Sequence, residues 1–263
     1  MDLGLKGRVA IVAAASKGLG RAIATEFAKE GCEVAICART SADLERAAGE
    51  IGMATGRAIF WRALDVSKFE AVSAFVDEVD KKYGRVDICV TNAGGPPAKK
   101  FLDISLEDWR AAVELTLMSN VYFAREVLPR MQRNHWGRLI TLTSVSVKQP
   151  IDGLLLSNSL RAGVAGLAKT LANEFGADGI TVNNVCPGFT LTDRLEELVE
   201  KRAKDAGVDR EQMLKNMSAQ VPAGRLGRPE EFAALVTFLA SERASYINGT
   251  TITVDGGLVK GLL

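Results

Sequence analysis

The sequence has too few histidines for the commonest kinds of protein metal centre. Its 263 residues include one histidine, His135, which lies in the polar connection RNHWGR and is interpreted as a surface residue. A multi-histidine site and a helical H-E-x-x-H motif are therefore excluded. The four cysteines are scattered without a C-x-x-C pair. We interpret them as buried apolar residues rather than as ligands or disulfide partners, so no metal is expected.

An excess of charge and long apolar runs are also missing. The sequence has 33 Lys and Arg residues against 32 Asp and Glu residues, which gives no electrostatic argument for binding nucleic acid or a membrane surface. The sequence has no run of 18 or more apolar residues, the length that a helix needs to span a bilayer. The opening MDLGLKGRVAIV has no signal-peptide pattern. We therefore expect a cytoplasmic protein that binds neither nucleic acid nor membrane.

The alternation of apolar runs with helical patterns predicts one α/β domain over residues 1–263. A chain of this length with 47% hydrophobic residues can bury a large core without a second domain. The spacing of the patterns is typical of a parallel sheet with right-handed crossovers. The predicted strands lie at residues 9–12, 34–38, 58–63, 86–91, 138–142, 181–185 and 251–254.

Residues 8–31, RVAIVAAASKGLGRAIATEFAKEG, have the pattern of a buried strand, a turn of small residues and an amphipathic helix. Leu19, Ile23 and Phe27 recur every four residues and share one helical face. A helix that starts near Gly18 would direct unpaired backbone N–H groups and the positive end of its dipole into the turn. The stretch therefore predicts a phosphate site, although a glycine-rich turn can also serve packing alone.

Several later helices have recognisable starts. Ser67 with Glu70, and Ser105 with Asp108, have the spacing of a capping box, in which a hydroxyl caps the helix and an acid returns the bond. Pro229 suits the first turn of another helix, because proline lacks a donor that would be unpaired there. These starts agree with the alternation of strands and helices.

The one irregular region of the sequence is residues 190–225. This region is charged, is interrupted by Gly207 and Pro222, and has short helical patterns of its own. Because it follows the end of a predicted strand, we expect it to form a lid over a substrate site.

Six motifs in order resemble those of the short-chain dehydrogenase/reductase family, over nearly the whole chain. They are AAASKGLG at 13–20, LDV at 64–66, TNAG at 91–94, TLTSVS at 141–146, PGFTLT at 187–192, and a closing run from GRPEEF to TVDGG. The resemblance implies a doubly wound, Rossmann-type parallel sheet of seven strands with helices on both faces, and a groove for a nicotinamide cofactor. Ligand crevices in such sheets lie outside the carboxyl ends of strands, and the motifs follow predicted strands.

The resemblance also implies where the cofactor lies: its adenine at Asp65, its ribose near TNAG, and its nicotinamide at PGFTLT. The residues assigned to cofactor binding are Ala14, Ser16, Lys17, Gly18, Leu19, Gly20, Arg39, Asp65, Val66, Asn92, Ala93, Gly94, Arg161, Pro187, Gly188, Thr190 and Thr192. Ala14 departs from the family, which has glycine there. A Cβ in a left-handed conformation costs about 1 to 2 kcal/mol, so we expect a slightly reshaped turn.

The expected cofactor is NADP(H) rather than NAD(H). Proteins that bind the unphosphorylated form usually carry an acid at the end of the second strand, where this sequence has Ala38 followed by Arg39. Lys17 in the glycine turn supplies a second cation where a 2′-phosphate would lie. The alternative is that both cations are solvated surface residues.

Three of the family's four catalytic positions are substituted. The family's tetrad is Asn, Ser, Tyr and Lys, and alignment on RAGVAGL at 161–167 places Thr116, Ser144, Ser157 and Arg161 at those positions. An aliphatic hydroxyl is a far weaker acid than tyrosine, so Ser157 is a poor proton donor. Arg161 stays protonated, and it can still bind ribose hydroxyls and stabilise an alkoxide as a fixed charge.

Lys148 is the best alternative acid in the sequence. A lysine in a desolvated, cationic pocket has a lowered pKa and could protonate an alkoxide. The alternative is a solvated loop lysine. The three tyrosines, Tyr83, Tyr122 and Tyr246, fall in no matching motif.

Two classes of function follow. The first is an NADP(H)-dependent oxidoreductase, similar to 3-oxoacyl reductases, that interconverts a carbonyl and a secondary alcohol of a small molecule. The second is a catalytically weak NADP(H)-binding protein that acts as a redox sensor or as a structural partner subunit. Retention of Ser144 and PGFTLT favours the first class, and loss of the tyrosine favours the second.

The substrate pocket is expected to have apolar walls from residues 153–156, Phe189 and Leu191, unless these side chains belong to the core or to a subunit interface. The basic pair that acyl-carrier reductases show to the acidic carrier falls at His135 and Asp178, which argues against that partner. The family resemblance implies a homotetramer or homodimer.

Overall fold

Seven parallel strands form one sheet. They are β1 (Val9–Ala13), β2 (Glu33–Ala38), β3 (Phe60–Ala63), β4 (Ile88–Thr91), β5 (Gly137–Leu142), β6 (Ile180–Pro187) and β7 (Thr251–Val254). The order across the sheet is β3-β2-β1-β4-β5-β6-β7, and every neighbouring pair is parallel. The chain reverses its direction of winding between β1 and β4. The doubly wound, seven-stranded sheet predicted from the sequence is therefore confirmed.

The computed structural model describes residues 1–262, so Leu263, the last residue of the predicted domain, lies outside the described residues. The α-helices are α1 (Gly18–Lys29), α2 (Ser41–Thr55), α3 (Phe69–Tyr83), α4 (Leu106–Ala112), α5 (Ser119–Arg133), α6 (Leu155–Phe175), α7 (Asp193–Ala206), α8 (Arg210–Ala219) and α9 (Pro229–Leu239). Across residues 1–262, every helix is too short or too polar to cross a membrane.

Helices cover both faces of the sheet because successive strand residues point to opposite sides. Val12 belongs to a core with Phe27 of α1 and Phe232 of α9. Its neighbour Ile11 belongs to a second core on the other face, with Phe75 of α3 and other residues of α3, α5 and α6. The central strands are therefore buried on both sides, which explains their continuous apolar runs.

One of the two predicted capping boxes is present. The Asp108 N–H donates to Ser105 Oγ at 3.0 Å, and the Ser105 N–H donates to the Asp108 carboxylate at 3.1 Å. The predicted box of Ser67 with Glu70 is wrong. The backbone N–H and the hydroxyl of Ser67 both donate to the Asp65 carboxylate, at 3.0 and 2.8 Å. Asp65 has therefore taken the Ser67 N–H, the donor that the box would need, in a local turn.

The region 190–225 forms two helices, α7 and α8, with a small core of their own. Gly207 follows α7 with a φ of 65°, in the left-handed region. The side chains in this core are Leu195, Val199, Ala203, Met213, Met217 and Leu226. The region is thus a helical hairpin packed on itself.

All four cysteine thiols are free and buried, and burial raises the pKa of both Cys32 and Cys37 to about 12. A thiol attacks a disulfide reagent as the thiolate, so burial and a raised pKa both oppose reaction. We predict that Ellman's reagent labels no thiol in the native protein and four thiols in guanidinium chloride. A thiol that reacts within seconds in buffer, or fewer than four after unfolding without reductant, would contradict this.

Candidate active site

The glycine turn after β1 is tightly packed. Ala14 has a φ of 49°, in the left-handed region expected for the residue that replaces the glycine. Gly20, in the first turn of α1, lies against this turn. A Cβ at Gly20 would lie 2.5 Å from the Ala14 carbonyl oxygen and 2.9 Å from Ala15 Cα. Only glycine lets α1 start this close to the end of β1.

The N-terminus of α1 has no side-chain cap within the described chain. Lys17 holds the N-cap position in an extended conformation, and its side chain makes no capping hydrogen bond. The first N–H groups of a helix have no partner inside the helix. They therefore remain available, with the positive end of the helix dipole, to bind an anion in the turn.

The two cations predicted to bind a 2′-phosphate follow neighbouring strands. Ala13 at the end of β1 pairs with Cys37 of β2, so Arg39 follows β2 beside the glycine turn. Arg39 is exposed and makes no ion pair within residues 1–262. Lys17 is different, because its ammonium group lies 3.4 Å from the carboxylate of Asp193, at the start of α7. Lys17, the cation in the glycine turn, thus also binds Asp193, the first residue of α7.

The residues that follow β3 and β4 lie at the same carboxyl edge of the sheet as the glycine turn. Val66 is buried, and Asp65 is exposed. The pKa of Asp65 is lowered, first by the backbone N–H of Ser67, and Arg39 adds a smaller Coulombic effect. Asn92, Ala93 and Gly94 follow β4 directly. No atom lies within 4 Å of the Cβ position of Gly94, so space is open at the end of this strand.

The PGFTLT segment runs from β6 to α7. Pro187 ends β6, and the Asp255 Cβ lies 2.6 Å from the Cβ position of Gly188, so only glycine fits there. Thr190 is buried and faces away from open solvent. Thr192 caps α7, because its hydroxyl oxygen accepts the N–H of Leu195 at 3.3 Å.

The Thr192 methyl group also lies 3.5 Å from the Cβ position of Gly18. PGFTLT and the glycine turn are therefore in contact, although they are far apart in the sequence. This contact and the Lys17–Asp193 ion pair bring the start of α7 to the start of α1.

Arg161 lies on α6, one turn after Ser157, and is held at the end of β5. Its Nη1 donates to the carbonyl oxygens of Thr143, at 2.6 Å, and Leu142, at 3.3 Å. Burial lowers the pKa of Arg161 to about 10, with Arg194 adding to the shift and Cys186 opposing it. A pKa of about 10 leaves Arg161 charged at neutral pH. It is therefore a fixed cation at the edge of the sheet.

Ser144 lies beside this cation at the start of a short 3₁₀ turn, Val145–Val147. Its hydroxyl oxygen accepts the backbone N–H of Ser146 at 3.1 Å. Because this bond uses the oxygen as an acceptor, the hydroxyl proton of Ser144 is free to donate to a ligand. Lys148 follows the turn and is exposed, and its ammonium group makes no ion pair in the part of the chain that the structure describes.

Thr116 lies in a π-helical segment, Val113–Met118, between α4 and α5. The π segment thus interrupts the helical run that begins after the Ser105 cap. Asn120 donates to the Thr116 carbonyl at 2.7 Å, and Ser119 Oγ donates to the Leu115 carbonyl at 2.6 Å. Side chains thus bind carbonyls in this widened turn, as is common in π segments near functional sites. The Thr116 hydroxyl is buried without a partner among the described residues.

Sequence reasoning missed two residues at this edge. The Asn158 side chain accepts the Ile151 N–H at 3.3 Å and donates to the Ile151 carbonyl at 2.9 Å, so it fixes the loop before α6. The Arg194 guanidinium lies against Gly95, with Nη2 3.4 Å from the Cβ position of that glycine. Because Asn158 directly follows the predicted site residue Ser157, the sequence could have indicated that Asn158 lies at the site. Nothing in the sequence indicated where Arg194 lies.

Comparison with known proteins identifies the family. A family model described as Enoyl-(Acyl carrier protein) reductase, one of the short-chain dehydrogenase/reductase models, matches residues 13–259. The chain belongs to the short-chain dehydrogenase/reductase family. The resemblance read from the six motifs is therefore confirmed.

Individual relatives cover almost the whole chain. Nodulation protein G of Azospirillum brasilense is 36% identical over 253 residues, which are 95% of this chain and 98% of that protein. The 3-oxoacyl-[acyl-carrier-protein] reductase of Escherichia coli (strain K12) is 35% identical over 256 residues, 97% of this chain and 99% of that protein. Among solved structures, L-sorbose reductase from Gluconobacter frateurii, complexed with NADPH and L-sorbose, has a TM-score of 0.95 at 35% identity and full coverage of both chains.

The close approach at Gly20 gives a test of the glycine turn of this dehydrogenase/reductase. We predict that Gly20→Ala lowers the free energy of unfolding by about 1 to 3 kcal/mol, because the new Cβ overpacks the turn. Gly49→Ala is the matched control, since no atom lies within 4 Å of its Cβ position on α2. It should stabilise the protein by about 0.5 to 1 kcal/mol. Urea unfolding measures both, and equal effects would show that the turn is not tightly packed.

Proposed function

We propose that the protein is an NADP(H)-dependent oxidoreductase that interconverts a carbonyl group and a secondary alcohol of a small molecule. The single observation that carries this is the uncapped start of α1 in contact with Thr192. An anion bound at this helix start would lie at the same carboxyl edge of the sheet as Ser144 and Arg161. The NADPH complex of the similar L-sorbose reductase supports the choice of cofactor.

The residues fit an NADP(H) molecule. The glycine turn offers uncapped N–H groups for the pyrophosphate, and Gly20 leaves the space for a close approach. Arg39, which is exposed and without an ion pair in residues 1–262, would bind the 2′-phosphate, with Lys17 beside it. When bound, the nicotinamide supplies or accepts the hydride, which is the cofactor's own chemistry.

The adenine and nicotinamide ends are assigned in the same way. The residues proposed to line these ends are Asp65 and Val66 at the adenine, Asn92, Ala93 and Gly94 near the ribose, and Pro187, Gly188, Thr190 and Thr192 at the nicotinamide. Arg161 would bind the ribose hydroxyls next to the nicotinamide. The assignment is consistent with the fold because all of these residues lie at the carboxyl edge of the sheet.

Four side chains act on the reacting oxygen or on its proton. The Ser144 hydroxyl, whose oxygen already accepts the Ser146 N–H, donates a hydrogen bond to the carbonyl oxygen and orients it. Arg161, charged at neutral pH, stabilises the oxygen as it gains negative charge. Lys148 or a water molecule gives the proton, since the hydroxyl of Ser157 is too weak an acid. Thr116, whose buried hydroxyl has no partner among the described residues, would hold a water that relays protons.

The hairpin of residues 190–225 acts as the lid of the substrate pocket. The Lys17–Asp193 ion pair is exposed, so it is weak and can open and close with the lid. Phe189 and Leu191 would line the pocket, whereas Leu156 is fully buried in the core and lines no wall. Thus one of the four apolar residues predicted at 153–156 is a core residue.

A small molecule is the proposed substrate rather than a carrier-bound acyl chain. Asp178, at a position where the resemblance implies a basic residue in carrier-dependent enzymes, is partly exposed and accepts a hydrogen bond from Gln132 at 2.7 Å. We further propose a homotetramer or homodimer in the cytoplasm, as the family resemblance implies.

The second candidate function is a redox sensor or structural partner subunit that binds NADP(H) with little turnover. The structural role of Arg161 favours this second function, because its Nη1 is already bound to two backbone carbonyls. A residue fixed in this way holds the strand end even where no chemistry takes place. We prefer the enzyme because the Ser144 hydroxyl, at the same carboxyl edge of the sheet, is still available to donate a hydrogen bond to a substrate.

We predict that the purified protein oxidises NADPH with some of the carbonyl compounds, or reduces NADP⁺ with some of the alcohols, in a panel of ketones, 3-oxoacyl thioesters, sugar acids and alcohols. Arg161→Ala and Ser144→Ala should each lower kcat about 100-fold, because each removes a group that stabilises the developing oxyanion. Circular dichroism must show that both variants fold. Lys148→Ala separates the two proton sources, since turnover stays unchanged if water is the donor. NADPH binding without turnover on any class of compound would favour the sensor or partner role.

We predict that Arg39→Asp raises the Kd for NADPH about 100-fold and changes the Kd for NADH less than threefold, because only NADPH has a 2′-phosphate. Lys81→Asp is the control, since Lys81 is exposed near the end of α3, at the opposite edge of the sheet. Fluorescence titration measures the Kd of NADPH and of NADH for the unmodified protein and both variants. Equal Kd values of NADPH and NADH for the unmodified protein would contradict the assigned cofactor.

A further inference from the structure

Arg194, the second residue of α7, extends across the mouth of the groove. Its guanidinium lies against Gly95, with Nη2, Nε and Cζ at 3.4, 3.7 and 3.9 Å from the Cβ position. The guanidinium therefore lies beside the backbone just after TNAG.

The start of α7 is fixed on the other side as well. The Thr192 methyl group lies 3.5 Å from the Cβ position of Gly18, and Asp193 is paired with Lys17 at 3.4 Å. The first turn of the helix thus spans from the glycine turn to the segment after β4. Arg194 is consequently placed over the groove, and its charge is close enough to Arg161 to lower the pKa of that residue.

Two cations of the proposed site form no ion pair. Arg161 and Lys148 have no carboxylate within ion-pair distance among residues 1–262. Arg161 is bound instead to two backbone carbonyls. Arg194 differs from them, because it pairs with an acid on its own helix.

Glu197 is the carboxylate that Arg194 binds in the protein alone, with a distance of 3.0 Å from Nη1. Both side chains are 60% exposed and lie three residues apart on the helix. Exposed pairs of this kind are weak, so a ligand carboxylate can replace Glu197 at little cost. Arginine suits that role because its planar fork binds a carboxylate through two parallel N–H groups.

We propose that Arg194 binds a carboxylate of the substrate, so that the substrate class is an oxo or hydroxy acid rather than a neutral ketone or sugar. This inference rests on the proposed oxidoreductase function and names its substrate class. The cofactor phosphates have other partners, namely the start of α1 and Arg39. Gly95 directly follows the segment proposed to hold the ribose, and the charge of Arg194 acts on Arg161, so a carboxylate on Arg194 would lie near the proposed reacting group.

The test compares acids with their methyl esters. The probes are 2-oxo and 3-oxo acids of four to six carbons and the corresponding hydroxy acids, each with its ester. We expect kcat/KM for the preferred acid to exceed that for its ester at least tenfold. Arg194→Gln should lower kcat/KM for the acid about 10- to 100-fold, as loss of a charge-assisted pair predicts, and change the value for the ester less than threefold.

Lys204→Gln is the matched control, because it removes one positive charge from the exposed surface of the same helix. It should leave both kcat/KM values within twofold of the unmodified protein. Glu197→Gln frees Arg194 from its partner and should lower KM for the acid. Equal use of acids and esters, or an equal loss for both in Arg194→Gln, would overturn the carboxylate assignment.

A binding measurement separates this inference from the proposed function. Hydroxy acids are titrated calorimetrically into the NADPH-saturated protein, a pairing that cannot react. Binding that is lost in Arg194→Gln and kept in Lys204→Gln supports the carboxylate site even where no compound is turned over. A weaker Kd for NADPH itself in Arg194→Gln would instead assign Arg194 to the cofactor, and this outcome also overturns the inference.

Discussion

The unpaired N–H groups at the start of α1 are the constraint on which the arrangement of the site depends. They can face a ligand only if no side chain caps the helix and if the chain turns sharply after β1. Both conditions are met, by Lys17 at an uncapped N-cap and by Ala14 in a left-handed conformation. Gly20 completes the arrangement because a Cβ there would overlap the Ala14 carbonyl. The strain at Ala14, about 1 to 2 kcal/mol, is thus offset by the packing of the rest of the domain.

The catalytic edge shows how one charge serves structure and chemistry together. Arg161 satisfies two carbonyls at the end of β5, where the strand ladder stops and backbone oxygens would otherwise be buried without partners. A lysine has a single ammonium group on a flexible stem, whereas the arginine fork can hold both carbonyls with one nitrogen and keep others for a ligand. Arg161 is therefore a more rigid cation than a lysine would be, and with a pKa of about 10 it keeps its proton at neutral pH.

Most of the fold could be predicted from the sequence, because strand burial and helix amphipathicity are local patterns with long-range consequences. The seven apolar runs correctly predicted the seven strands, and the small residues before Gly18 correctly predicted the turn. The Ser67 box failed because Asp65, two residues before, was the stronger local acceptor. The π segment around Thr116 was not predictable, since it depends on Ser119 and Asn120 binding carbonyls rather than on periodicity. The position of Arg194 depends on how the hairpin docks, which no local pattern encodes.

The docking of the hairpin also determines which class of substrate the proposed site would bind. A neutral carbonyl compound would leave Arg194 paired with Glu197, whereas a substrate carboxylate would replace Glu197 and also be attracted by the charge of Arg161. Under the proposed function, the same charges would favour the negative oxygen that forms when a carbonyl gains a hydride, so a group that binds substrate would also lower the barrier. If no tyrosine supplies the proton, stabilising that oxygen would matter more than supplying its proton at once. A cationic pocket would then hold the alkoxide until Lys148 or water protonates it.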